Sequence, residues 1–153
     1  MRLTRLTDYS YRVLIYLAAN ADRQVTIREI AASYSISRNH LMKVANLLAR
    51  NGFVRAVRGR GGGLTLARDA SQINMGDVAR KLEEDFAVVE CFTGSGRCRI
   101  EPGCRLKPLL GRAVNAFLHE LDSATLADVV GEPAAIVHLL DRSRRAAVQH
   151  GAG

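Results

Sequence analysis

Residues 26–50 read TIREIAASYSISRNHLMKVANLLAR, and capping chemistry divides the run into two helices. Thr26 followed by Glu29 is a capping box, in which the threonine oxygen accepts from a free backbone N–H and the glutamate reaches back to the cap. It opens a short helix with Ile30, Ala31 and Tyr34 on its apolar side. Ser35-Ile36-Ser37 then makes a tight turn, and Ser37 caps a longer helix that buries Leu41, Val44, Leu47 and Leu48 and stops at Gly52. Short helix, three-residue turn and longer helix make a helix-turn-helix. Ser37, Arg38, Asn39 and His40 favour it over a hairpin that merely packs, because they set four hydrogen-bonding side chains at the end that a recognition helix presents to base edges. Lys43 lies one turn further along the same helix.

Upstream, Thr7 followed by DYSYRVLIYLAAN predicts a capped helix with an acidic first turn and apolar residues Tyr9, Val13, Tyr16 and Leu17 at helical spacing. Downstream, residues 53–58 and 64–68 alternate as strands around a glycine-rich tip, which predicts a two-stranded wing over about 53–68. The tip lacks the Gly-Lys-Ser/Thr and following helix of a nucleotide-binding loop. Arg58, Arg60 and Gly62 instead suit entry into a narrow groove, where glycine permits close approach and arginine supplies charge. A capped helix from Asn74 closes a winged helix-turn-helix domain at residues 1–82.

Charge supports a polyanionic partner. The chain has 153 residues and a net charge of +7; residues 1–68 hold 12 Lys and Arg against 3 Asp and Glu, and residues 69–153 hold 10 against 12. A basic excess confined to one half, almost all of it arginine, fits double-stranded DNA better than a membrane surface, which wants a basic amphipathic helix. No apolar run reaches the roughly 20 residues of a membrane span, and the polar start MRLTRLTDYSYR is unlike a signal peptide, so a cytoplasmic protein is expected.

Residues 83–104 form a loop with no sustained period, and it holds all three cysteines, Cys91, Cys98 and Cys104, in a C-x6-C-x5-C arrangement. Zinc sites show closer pairs and thioredoxin-like motifs need C-x-x-C, so neither pattern is met. Gly94, Gly96 and Gly103 let a loop wrap a cluster, and Arg97, Arg99 and Arg105 offset thiolate charge. Three thiolates with one other ligand point to an iron-sulfur cluster. A cluster-free regulator that senses through thiol oxidation, and an iron-sulfur redox or carrier protein, are the competing readings. No paired-carboxylate, Ser-His-Asp or Cys-His constellation suggests an enzyme.

Residues 105–130 carry a long helix, with Leu106, Leu110, Ala113, Val114, Phe117 and Leu121 as a dimer-forming stripe, and a short helix after it. Pro108 is tolerable in its first turn. Residues 131–153 read as a polar tail without fixed structure, most plainly from Asp141 onward. The expected fold is thus mostly α, a winged helix-turn-helix with a long C-terminal dimerisation helix.

The start RLTDYSYRVLIYLA, the run SISRNHLMKVANLLARNGFVRAVRGRGGGLTLA, the INMGDVARKLE segment, the three-cysteine loop and CRLKPLLGRAVNAFLHELDSATLADV together resemble a bacterial family of winged-helix, iron-sulfur transcriptional regulators, specifically its nitric-oxide-sensitive branch. The likeness covers about residues 1–130. It implies a homodimeric repressor on a pseudo-palindromic operator, released from DNA when nitric oxide attacks the cluster. It also implies that Cys91, Cys98 and Cys104 are ligands, with Asp8 of the partner subunit as the fourth in a 4Fe-4S centre, a 2Fe-2S centre being the alternative. A sibling that senses iron-sulfur supply has histidine three residues after its third cysteine; Lys107 stands there in this chain.

Overall fold

The structure, a computed structural model, describes residues 2–57, 59, 61–94 and 98–150, with side chains described as far as residue 142. The elements run α1 (Arg5–Ala19), α2 (Ile27–Tyr34), α3 (Arg38–Arg50), β1 (Val54–Val57), β2 (Gly63–Leu66), α4 (Met75–Leu82), α5 (Leu106–Asp122), α6 (Leu126–Val130) and α7 (Pro133–His150). Short 3-10 turns occupy Ala70–Gln72, Glu90–Thr93 and Glu101–Gly103. This is the mostly helical winged-helix architecture that the sequence implies.

Helix boundaries follow capping. Thr26 Oγ1 accepts from the Glu29 N–H at 3.2 Å while Glu29 Oε2 accepts from the Thr26 N–H at 2.8 Å, completing the box that starts α2. Ser35 ends α2 in the left-handed region at φ 54°, and the Ile36 N–H donates to Ala31 O at 3.1 Å. That sharp exit aims the chain at Ser37, which caps α3 by accepting from the His40 N–H at 3.3 Å. The start of α1 differs from expectation. Its cap is Thr4, not Thr7: Thr4 Oγ1 accepts from the Thr7 N–H at 3.3 Å, and Thr7 is buried one turn inside the helix. Glu83 selects Thr4, because its Oε1 accepts from both the Thr4 N–H (2.8 Å) and Thr4 Oγ1 (3.1 Å).

One apolar core serves the whole winged helix. Val13, Leu14 and Leu17 of α1, Ile30 of α2, Leu41, Val44 and Leu48 of α3, Phe53, Ile73, Val78 of α4 and Leu126 of α6 are all at most 2% exposed. Strands β1 and β2 pair antiparallel from Val54↔Leu66 to Val57↔Gly63, and Val25 bridges Leu64 on the other side of β2. Gly63 is required by that bridge: a Cβ there would lie 2.8 Å from Val25 O. The far end of α5 is fixed to α4 by the Arg80–Asp122 ion pair and by Asn74 Nδ2 donating to Asp122 O at 2.7 Å.

The tail is the main correction. Residues 133–150 are helical, and α7 packs against α1 and α2 with Leu140 buried in the shared core and Ile136 and Val137 half-buried beside it. Pro133 suits the first helical position, where no N–H is needed. The tail reading failed because Ile136, Val137 and Leu140 make only one short apolar stripe before the charged run Asp141-Arg-Ser-Arg-Arg145; residues 151–153 lie outside the described residues. Among the described residues no helix is long and apolar enough to cross a membrane.

Candidate nucleic-acid interface and cysteine loop

Helix α3 has two unlike faces. Leu41, Val44, Ala45 and Leu48 are buried, so Ser37, Arg38, Asn39, His40 and Lys43 are all turned to solvent. The same face carries Met42, Asn46 and Arg50, which the sequence reading did not single out. Their signal was available: each lies on the side opposite the buried stripe. In the wing, Arg58 and Arg60 lie outside the described residues. Gly62 N–H donates to Gly59 O at 3.0 Å, and a Cβ on Gly62 would come within 2.2 Å of Val57 O, so the turn itself requires this glycine.

Asp8 stands in the first turn of α1 and accepts from Arg12 Nε and Nη2, both at 3.0 Å. The Arg12 guanidinium lies 5.9 Å from the Tyr9 ring and 5.8 Å from the Tyr34 ring. Tyr9 in turn meets His40 of α3, with ring centroids 6.3 Å apart. A chain of contacts therefore runs from Asp8 through Arg12 and Tyr9 to the first turn of α3. Asp8 also lines an open cleft of about 540 Å3 with Arg2, Arg5, Arg12 and Tyr34.

The three cysteines are free thiols. Cys91 sits in the Glu90–Thr93 turn and is half-buried, Cys98 is exposed, and Cys104 is half-buried just before α5. Lys107, in the first turn of α5, pairs with Glu101. The Glu101 hydrogen bond raises the Lys107 ammonium above its ordinary value against the opposing effect of desolvation, and Cys91 and Cys104 add to the rise. Two of the three thiols, those of Cys91 and Cys104, thus lie close enough to the Lys107 ammonium to act on it. Among the described residues of a single chain no group of three metal-ligating side chains is gathered, so the structure does not bring Cys91, Cys98 and Cys104 together at one point, with or without Asp8. The donor types, three unpaired sulfurs of which two lie near one cation, suit an iron-sulfur cluster.

Glu83 has a role that no local sequence pattern marks. It joins the start of the cysteine loop to the cap of α1, and with burial as the larger cause it pushes the Tyr11 phenol up to about 12. Tyr11 Oη donates to Met75 O at 2.9 Å, so the phenol acts as a donor that ties α1 to α4. Partners 79 residues apart leave no local signal.

On α5, Leu106 and Leu109 are 56% and 52% exposed, and Ala113 and Ala116 are exposed with them. Leu110, Phe117 and Leu121 are half-buried. Val114 is a correction to the dimer-forming stripe: it is buried, together with Leu118, within its own protomer.

The profile of the Rrf2 family, described as iron-dependent transcriptional regulators, matches residues 3–132. The HTH-type transcriptional regulator NsrR of Bacillus subtilis (strain 168) is 49% identical over 142 residues, 92% of this chain and 97% of that one. Among solved structures, CymR (YrzC), the global cysteine regulator of B. subtilis, superimposes with a TM-score of 0.70 at 25% identity, covering 85% of this chain and 96% of that one. IscR of T. potens superimposes with a TM-score of 0.67 at 27% identity, covering 85% and 86%.

Proposed function

The chain belongs to the Rrf2 family of transcriptional regulators, and from that premise we propose that it is a homodimeric, DNA-binding repressor that senses nitric oxide through an iron-sulfur cluster. Its relative of 49% identity is named as a regulator, not an enzyme, and this chain is likewise a regulator. Three free thiols within residues 91–104, in a loop none of whose described residues is buried, carry the cluster reading. Cys91, Cys98 and Cys104 would hold the cluster, with Asp8 of the partner subunit as the fourth ligand. When bound, the cluster supplies iron that nitric oxide can attack.

The rest is the work of this chain's own residues. Exposed Arg38, Asn39, His40 and Lys43 meet the major groove, and the wing with Arg58, Arg60 and Gly62 meets the minor groove. Leu106, Leu109, Ala113 and Ala116 supply the apolar face on which two copies pair. Asp8 must leave Arg12 to serve as a ligand, and that exchange is felt at the recognition helix because Tyr9, the next residue, meets the His40 ring at a tilt. A carboxylate oxygen is a harder donor than thiolate, which leaves its iron the more open position.

Anaerobic purification followed by assay of iron and acid-labile sulfide, with visible spectra before and after nitric oxide, tests the reading. The expected result is about four irons and four sulfides per chain and a broad visible band that nitric oxide bleaches together with DNA affinity. A colourless protein with three titratable thiols that still binds DNA would replace it with a thiol-based sensor.

A further inference from the structure

Every exposed residue of α3 near its start is polar or charged except one. Met42 is 47% exposed in the middle of a face made of Arg38, Asn39, Lys43, Asn46 and Arg50. Single apolar side chains on a surface are ordinary, but the position of this one is not. It lies three residues after Asn39 and four before Asn46, so the three side chains stand in one column along the helix. The helix has no freedom to turn the methionine inward, because Leu41, Val44, Ala45 and Leu48 already fix the opposite face in the core.

Two amides flanking a thioether have a matching surface in the major groove. Each Asn can pair with the N6 donor and N7 acceptor of adenine, and an apolar side chain can pack on the C5-methyl of thymine, a group that no other base pair presents there. Methionine is unbranched and polarizable, so it can settle against a methyl group without demanding one rotamer. Arg38, Lys43 and Arg50 around the column supply the charge complementarity that holds the helix against phosphates.

Resting on the DNA-binding reading above, we infer that Met42 reads sequence by packing on the C5-methyl of a thymine in the operator half-site, with Asn39 and Asn46 reading adenine edges on either side. The partner surface is thus an A·T step of duplex DNA seen from the major groove.

The test uses the full chain, purified anaerobically with its iron, and a pool of randomised DNA duplexes from which bound sequences are selected. Fluorescence anisotropy then measures the selected duplex and versions in which each thymine in turn is replaced by deoxyuridine, a change that removes only the methyl group. One such position should weaken binding by wild-type protein about four-fold, the worth of one buried carbon. Met42→Ala should bind the parent duplex more weakly and show less than about a two-fold further loss at that same position, since its contact is already gone. Equal binding of every uridine duplex by wild type, or the same loss in Met42→Ala as in wild type, overturns the inference. A pool that yields no enriched sequence overturns the DNA-reading function beneath it, so the two failures are distinct.

Discussion

The reading head and the cysteine loop are held together in different ways. From α1 to α4 the chain encloses one apolar core, and α1 to α4 each start at a side-chain cap: Thr4, Thr26, Ser37 and Asn74 all accept from a first-turn N–H. Between residues 83 and 105 no described residue is buried, and the turns at Glu90–Thr93 and Glu101–Gly103 have no side-chain cap. The difference teaches where each region's stability must come from. Helix α3 is positioned by its own chain, whereas on the proposed cluster reading the loop would gain its order from what its thiols hold, as metal sites generally do.

Deletion of matched apolar side chains is the sharpest way to break this comparison. Leu48 is fully buried on α3 and Ile100 is 69% exposed in the loop. Leu48→Ala should cost about 2–5 kcal/mol of unfolding free energy through lost burial and the cavity left behind. Ile100→Ala should stay within about 0.5 kcal/mol. Urea denaturation of both variants checks it, and a comparable loss at Ile100 would mean that the loop packs against something in solution.

A second test separates reading from folding inside α3. Arg38 and Asn39 are exposed, so their replacement by alanine should leave the melting temperature nearly unchanged. Binding to operator DNA should fall by about 1–3 kcal/mol for whichever reads a base, with little change on random duplex. Equal losses on both duplexes would assign the residue to phosphate contact, and would make the face a charged surface instead of a reader.

How much of this was legible depended on the range of each interaction. The capping box at Thr26 and the cap at Ser37 are encoded within four residues, so the helix-turn-helix could be read directly. The wing followed from alternation and glycine. The cap of α1 could not be placed, because a carboxylate at Glu83, far along the chain, chooses Thr4 over Thr7. Helix α7 was missed since Leu140 gains its burial from α1 and α2, which no local pattern reports. The same limit applies to Val114, whose apolar character suits a dimer stripe and an intramolecular core equally well. At the candidate cluster site the cysteine spacing was visible, but the placement of the Lys107 ammonium near Cys91 and Cys104 depends on how the loop closes onto α5. The role of Asp8 as a ligand rests on resemblance alone, since an acid in a first helical turn is favourable for the dipole by itself.

The smallest expected effect concerns charge in the well-packed region. Desolvation works against the Glu29 carboxylate, but hydrogen bonds from the Thr26 N–H and Oγ1 and from Arg23 outweigh it and hold the group below its ordinary value. A depressed value in the folded state stabilises the fold above the unfolded value, near pH ~4.3 for glutamate, and that contribution disappears as pH falls through the folded value. Glu29→Gln keeps an acceptor for the capping box but not the charge. It should therefore lose up to about 1 kcal/mol near neutral pH, the modest worth of a partly exposed ion pair and cap. Urea midpoints at neutral pH and near pH ~3.5 should show the gap between variant and wild type closing as the carboxylate is protonated. A gap that persists at low pH would place the cost in amide geometry, and would leave the reading head with no titratable contribution at this cap.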